Sequence, residues 1–194
     1  MNDGVSAEVD NLSDSRLMDY IANLNKFPAS ACTKAINKDF FIVNKLYFKK
    51  GILSEDLEWG IRLFLSIRSA AYCPHDYYRY RQGRKGSISS MASEKHYLDI
   101  LHTVEMYGDA YINEKNYHKR KLVFSFLEYI YRLLILGFQQ MSKEHRENYK
   151  KQLKKYSFVL GTRKDRKSRI IYGAYKLLGV KLSCLMMSRY LKLR

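Results

Sequence analysis

A chain of 194 residues with 46 % apolar side chains is long enough to bury one core and too apolar to be wholly disordered. Its formal net charge of +16 directs it towards something acidic, whether nucleotide phosphates, anionic lipid or nucleic acid. Cys32, Cys73 and Cys184 are far apart and odd in number, which speaks against a disulfide framework or a Cys-x-x-Cys zinc site and suits a reducing cytoplasm.

Residues 1–13 are polar and are expected to fray. Their start is acidic rather than basic and then apolar, so it is not a signal peptide, and export is not expected. Leu17, Met18, Ile21 and Leu24 share one side of a short helix over residues 15–25, which Pro28 ends. Residues 32–40 read as a second short helix. Leu46-Tyr47-Phe48 reads as a short strand and Lys49-Lys50-Gly51 as a turn.

Ser54 then has the residue type of a helix N-cap, and Glu55, Asp56 and Glu58 occupy the first turn, where the helix dipole favours negative charge. Leu57, Ile61, Phe64 and Leu65 continue at helical spacing, predicting an amphipathic helix over residues 54–68. Residues 70–73 and 77–80 read as two short strands across a Pro74-His75-Asp76 turn. Residues 81–90 form a basic loop rich in glycine and serine, without the spacing of a Walker motif.

From Ser93 onwards the pattern is helical. Tyr97, Ile100, Leu101, Val104 and Tyr107 make one stripe, and His96 and His102, six apart, read as packing or surface residues. Residues 124–138 are the most apolar, but Glu128 and Arg132 interrupt them and the run is too short to span a bilayer. They predict a core helix first and a membrane-interface helix second. Residues 142–156 form a charged helix. Residues 162–194 hold ten lysines and arginines against Asp165 alone, interleaved with bulky apolar side chains. That mixture suits a segment lying on anionic lipid or a basic helix packed on its own domain. Nucleic acid is not an expected partner, because no helix-turn-helix or aromatic binding motif accompanies the charge.

Two readings compete for the corner at Ser54. In one, Glu55, Asp56 and Glu58 are dipole-matched acids and Trp59 is a packing residue. In the other, a carboxylate at the helix start is a general base and the aromatic is a platform for a sugar ring.

The run Asn44-Lys45-Leu46-Tyr47-Phe48-Lys49-Lys50-Gly51-Ile52-Leu53-Ser54-Glu55-Asp56-Leu57-Glu58-Trp59 resembles the acceptor-side segment of bacterial family 2 glycosyltransferases. These are inverting enzymes of the GT-A fold that build surface polysaccharides. The similarity extends upstream through Lys26-Phe27-Pro28-Ala29-Ser30-Ala31-Cys32-Thr33-Lys34-Ala35-Ile36 and downstream from Tyr77 through Arg81-Gln82-Gly83-Arg84-Lys85-Gly86-Ser87-Ile88. It implies Asp56 as the base that deprotonates the acceptor hydroxyl, Glu55 as its neighbour, and Trp59 and Glu58 as acceptor-binding residues. It also implies that Arg81, Arg84 and Ser87 lie near the diphosphate leaving group.

The fold expected from the resemblance is α/β: the mostly helical C-terminal portion of a Rossmann-like GT-A enzyme, with a few short strands. Residues 1–112 would be the partial acceptor-side region, 113–160 a helical extension and 161–194 a basic amphipathic tail. The family implies a nucleotide-sugar donor and a divalent metal, magnesium or manganese. Yet only 26 residues precede Phe27, too few for several βα units, and no Asp-x-Asp motif occurs, so no metal ligands are identified. The expected partners are a saccharide or lipid-linked acceptor, an anionic membrane surface and a separate donor-binding chain, with a cytoplasmic location at the inner face of the membrane. The alternative is a non-catalytic, membrane-associated remnant or subunit that complements a donor-binding chain.

Overall fold

The computed structural model describes residues 5–24, 26–75, 78–79, 81, 93–163 and 166–192. Within them lie seven α-helices: α1 (Asp14–Asn23), α2 (Lys38–Val43), α3 (Glu55–Ser66), α4 (Glu94–Tyr111), α5 (Tyr117–Gly137), α6 (Lys143–Lys155) and α7 (Arg166–Lys192). Short 3-10 turns at Ala7–Asn11, Ala31–Thr33, Phe138–Gln140 and Ser157–Gly161 join or precede them.

Helix α5 is the hub because its apolar residues run almost all the way round. Leu122, Val123, Phe126, Leu127, Ile130, Tyr131, Leu134 and Ile135 are fully buried, as expected of a helix enclosed by neighbours. Helices α1 and α4 pack along it, and α3 and α7 close the shell. The end of α5 approaches α4 closely: a Cβ on Gly137 would sit 2.4 Å from the Tyr97 ring. Phe27, in the link after α1, fills the space between α3 and α5, 5.3 Å from Phe64 and 5.1 Å from Phe126. The charged α6 docks through only two buried side chains, Tyr149 and Leu153. Three hydroxyls hold it there: Tyr149 donates to the Leu134 carbonyl at 2.8 Å, and Tyr131 and Tyr175 both donate to the Leu153 carbonyl, Tyr175 at 3.3 Å.

The two charges that interrupt α5 latch the last helix. The fully buried Glu128 carboxylate accepts from Arg132 at 2.8 Å, from the Arg163 backbone N–H at 2.8 Å and from the Thr162 hydroxyl at 3.2 Å. Arg132 also donates to the Ser168 hydroxyl in the first turn of α7. Farther on, Gly179 interrupts α7 with φ 68° and ψ −176°, a backbone conformation open in practice only to glycine.

The α/β expectation is corrected by this architecture: the described residues are about 71 % helical and carry essentially no strands. Among the described residues the one β pairing is an isolated antiparallel bridge between Ser13 and Ser69. In residues 46–48, expected as a strand, Leu46 is buried and Tyr47 and Phe48 are both exposed, so the in-out alternation of a strand is absent. Side chains of α3 take the carbonyls here instead of a neighbouring strand. Trp59 Nε1 donates to Leu46 at 2.8 Å, and the Arg62 guanidinium donates to Lys45 at 3.1 Å and to Tyr47 at 2.6 Å. A backbone whose acceptors are satisfied in this way has no need of a ladder. Of the second expected strand pair, residues 70–73 are irregular, and the Tyr72 N–H donates to Asp10. Tyr77 and Tyr80 lie outside the described residues.

The helical expectations fare better at α3, which lies within its expected span, and at α1, which begins one residue before its own. The helix expected over residues 32–40 is instead a 3-10 turn followed by α2, whose start is fixed by Asn37 accepting from the Phe40 N–H at 3.0 Å.

Candidate active site

The site is the corner where the chain enters α3. Two left-handed residues make the turn, Gly51 at φ 81° and Ser54 at φ 58°. Glycine adopts such a conformation freely and serine only at a cost, so neighbours must hold Ser54 there. They come from α4: the Asp99 carboxylate accepts from the Leu53 N–H at 2.8 Å, and the Ser54 hydroxyl lies 3.1 Å from His96 Nδ1. Ser54 stands at the N-cap position, but its hydroxyl does not cap the helix; its carbonyl accepts from the Leu57 N–H at 3.0 Å.

The four acidic and aromatic residues of this first turn have different surroundings. Glu55 is exposed and Asp56 is half-buried. Burial pushes the Asp56 carboxyl above the usual aspartate range, and the charge of Glu55 beside it adds to the shift. The backbone N–H groups of Leu57 and Asp56 and the positive charge of Lys34 oppose that shift without cancelling it.

Glu58 is almost completely buried and belongs to the frame. It lies 2.9 Å from Lys49 Nζ and 3.0 Å from the Arg62 guanidinium, and it accepts from the Tyr107 hydroxyl at 3.1 Å. Burial acts to raise its pKa, but the hydrogen bonds from Arg62 and Lys49 outweigh burial and hold it below the usual glutamate range. Tyr107 is pushed far above the usual tyrosine value, first by burial and then by Glu58. Trp59 is 3 % exposed, packs 5.5 Å from Phe48 and spends its N–H on Leu46. Its ring is a packing surface here, not an open sugar platform.

The structure therefore gathers Glu55, Asp56, Glu58 and Trp59 on one turn and leaves only the first two facing outward. Arg81 is exposed, and Arg84 and Ser87 lie outside the described residues.

Three contributors were not assigned to this corner from the sequence, His96 having read as a packing or surface residue. Lys34 follows the turn at Ala31–Thr33, donates to the Ser30 carbonyl at 2.6 Å and stands over the Phe64 ring at 5.6 Å. His96 is held below the usual histidine range by burial, an effect Asp99 partly opposes, so its ring is neutral at pH 7. Asp99 also takes Lys95 at 2.6 Å. His96 and Asp99 come from a helix more than 40 residues away in sequence, and no local pattern announces that they close this corner.

A groove of about 1050 Å³ lies beside Lys34, lined by Lys34, Asn37, Phe40, Phe64, Arg68 and Tyr72 among others. Asp56 is not in its wall, so this groove and the candidate base share Lys34 at most. Among the described residues no three His, Cys, Asp or Glu side chains converge as a metal site, so the ligands implied for magnesium or manganese are not found there. The chain matches no protein-family model, no curated protein and no solved structure.

Proposed function

We propose that this chain supplies the acceptor side of an inverting sugar transfer, with Asp56 as the base. The observation that carries the reading is the state of Asp56, a half-buried carboxylate whose proton affinity is raised by burial and by Glu55, at an open helix start. A carboxylate raised in this way is the stronger base, and outward placement gives a hydroxyl access to it. The resemblance of residues 44–59 to the acceptor segment of family 2 glycosyltransferases supports the same residue.

The chemistry asked of Asp56 is simple. It accepts the proton of a saccharide hydroxyl as that oxygen forms a bond to the anomeric carbon of the donor sugar. The bond from that carbon to the diphosphate breaks at the same time, and the nucleoside diphosphate leaves with the electron pair. Lys34 is placed to steady the Asp56 charge before the proton arrives. Glu58 and Trp59 hold the frame and touch no acceptor in this reading. The correction of the fold removes a nucleotide-binding sheet from the described residues, so the donor is assigned to a separate donor-binding chain.

The experiment is Asp56→Asn in cells that make the polysaccharide, with product measured and folding checked by circular dichroism. Loss of a general base lowers the transfer rate by about 10²–10⁴-fold. Unchanged product would refute the base role and favour the non-catalytic subunit. A companion measurement is calorimetric titration of the purified chain with nucleotide-sugars and magnesium, for which no binding is expected. Micromolar binding would place a donor site within this chain.

A further inference from the structure

Among the described residues two helices are long and apolar enough to cross a membrane by length and composition, with the same mean hydropathy of 1.4, but their surroundings differ. The window in Tyr117–Gln140 is 67 % buried inside the protein, as befits the core, whereas that in Ser168–Met187 is 22 % buried. Burial explains the apolar residues of the first. It leaves the exposed apolar residues of the second without that reason.

The exposed residues of α7 form two clusters, one on each side of the Gly179 break. Before the break, Ile170 and Leu177 are 60 % and 86 % exposed, flanked by exposed Arg166, Arg169 and Lys176. After it, Leu182, Leu185 and Met186 are 52 %, 46 % and 55 % exposed, flanked by exposed Lys181 and Arg189. The helix contains no aspartate or glutamate. We infer that α7 is a docking surface for an anionic lipid bilayer, lying flat with these apolar side chains in the headgroup region and the cations on lipid phosphates.

The opposite face of α7 excludes a spanning helix. Ser168, Tyr175, Val180, Ser183 and Cys184 are buried against the body. The Tyr175 hydroxyl is 3.2 Å from that of Tyr131, and Ser168 accepts from Arg132. One face is therefore fixed to protein while the other presents the mixed apolar and basic surface of an interfacial helix. A second copy of the chain is disfavoured as the occupant, because it would bring a further charge of +16 to a cationic face. A bilayer rich in anionic lipid offers both an apolar layer and the opposite charge. This inference stands apart from the role of Asp56 and would survive its failure.

The test is co-sedimentation of the full chain with phosphatidylcholine vesicles, with and without about one third phosphatidylglycerol. Binding to the anionic vesicles at low salt, release at high salt and little binding to neutral vesicles are expected. Replacing Lys176, Lys181 and Arg189 by Gln should weaken binding by roughly fivefold per cation. The Leu177→Ser, Leu182→Ser and Leu185→Ser triple variant should lose binding while keeping its helical circular dichroism. If that variant unfolds, the glutamine variants, which remove no buried side chain, carry the test. No binding to anionic vesicles at low salt, equal binding to neutral ones, or self-association that the leucine changes abolish would each overturn the inference.

Discussion

Replacing Arg62 by Ala tests how α3 holds the chain segment before it. The guanidinium is 24 % exposed and pairs with Glu58, whose carboxylate is 2 % exposed, while also donating to the carbonyls of Lys45 and Tyr47. Its loss leaves the buried carboxylate with Lys49 and Tyr107 alone. Breaking a buried pair by removing one partner costs about 3–5 kcal/mol, and Lys49, being retained, argues for the lower end. Two backbone acceptors at the surface add about 1 kcal/mol together, since water replaces their donor. The expected loss is about 3–4 kcal/mol, or roughly 6–16 °C in Tm for a chain of this size. Chemical and thermal unfolding followed by circular dichroism measure it. Glu58→Gln and the double variant complete a cycle whose coupling isolates the pair. A loss below about 1 kcal/mol, or two additive single effects, would refute the argument that Arg62 substitutes for strand pairing.

Other outcomes follow from the same geometry. Because Glu58 is held below its usual 4.5 in the folded state, its stabilising contribution is present above that value and fades as the pH falls through its folded pKa; Glu58→Gln should flatten this acid limb of the stability profile. Asp56 behaves oppositely: its folded pKa lies above the unfolded 3.8, so ionisation costs stability as the pH rises through the folded value. Asp56→Asn should therefore raise Tm at neutral pH while abolishing transfer, and a lower Tm would contradict the burial of its charge. Gly137→Ala places a Cβ 2.4 Å from the Tyr97 ring and 2.8 Å from the Tyr149 hydroxyl, which should cost about 1–3 kcal/mol in urea unfolding. A Cβ added at Gly179 would meet nothing within 4 Å beyond its chain neighbours, yet Gly179→Ala should still cost about 1–3 kcal/mol through backbone strain alone. An unchanged midpoint would show that α7 can straighten.

Periodicity made α1, α3 and α4 legible, because each carries its own apolar spacing and that spacing needs no knowledge of a partner. The strand at residues 46–48 misled for the converse reason. Its residue types suit a strand, but whether the backbone joins a sheet depends on what reaches its carbonyls, and Trp59 and Arg62 do so from 13 to 17 residues away. At the site, Glu55 and Asp56 were visible as an acidic pair at a helix start. Their difference was not, since exposure separates them and exposure is a tertiary property. Trp59 had the residue type of a platform and the position of a core residue. Ser54 had the residue type of a cap, but His96 and Asp99, supplied by α4, draw the corner into another conformation.

The Glu128 latch also has a consequence for how the chain is made. Synthesis runs from the N-terminus, so α5 emerges before the N–H of Arg163, 35 residues later, that its buried carboxylate requires. Until then Glu128 has only Arg132 within its own helix, and burying the pair would strand a charge in an apolar interior. The most apolar helix of the protein must therefore stay wet, or be sheltered by a chaperone, while α6 and the turn after it are still being translated. Closure of the core is in this sense timed by its far end.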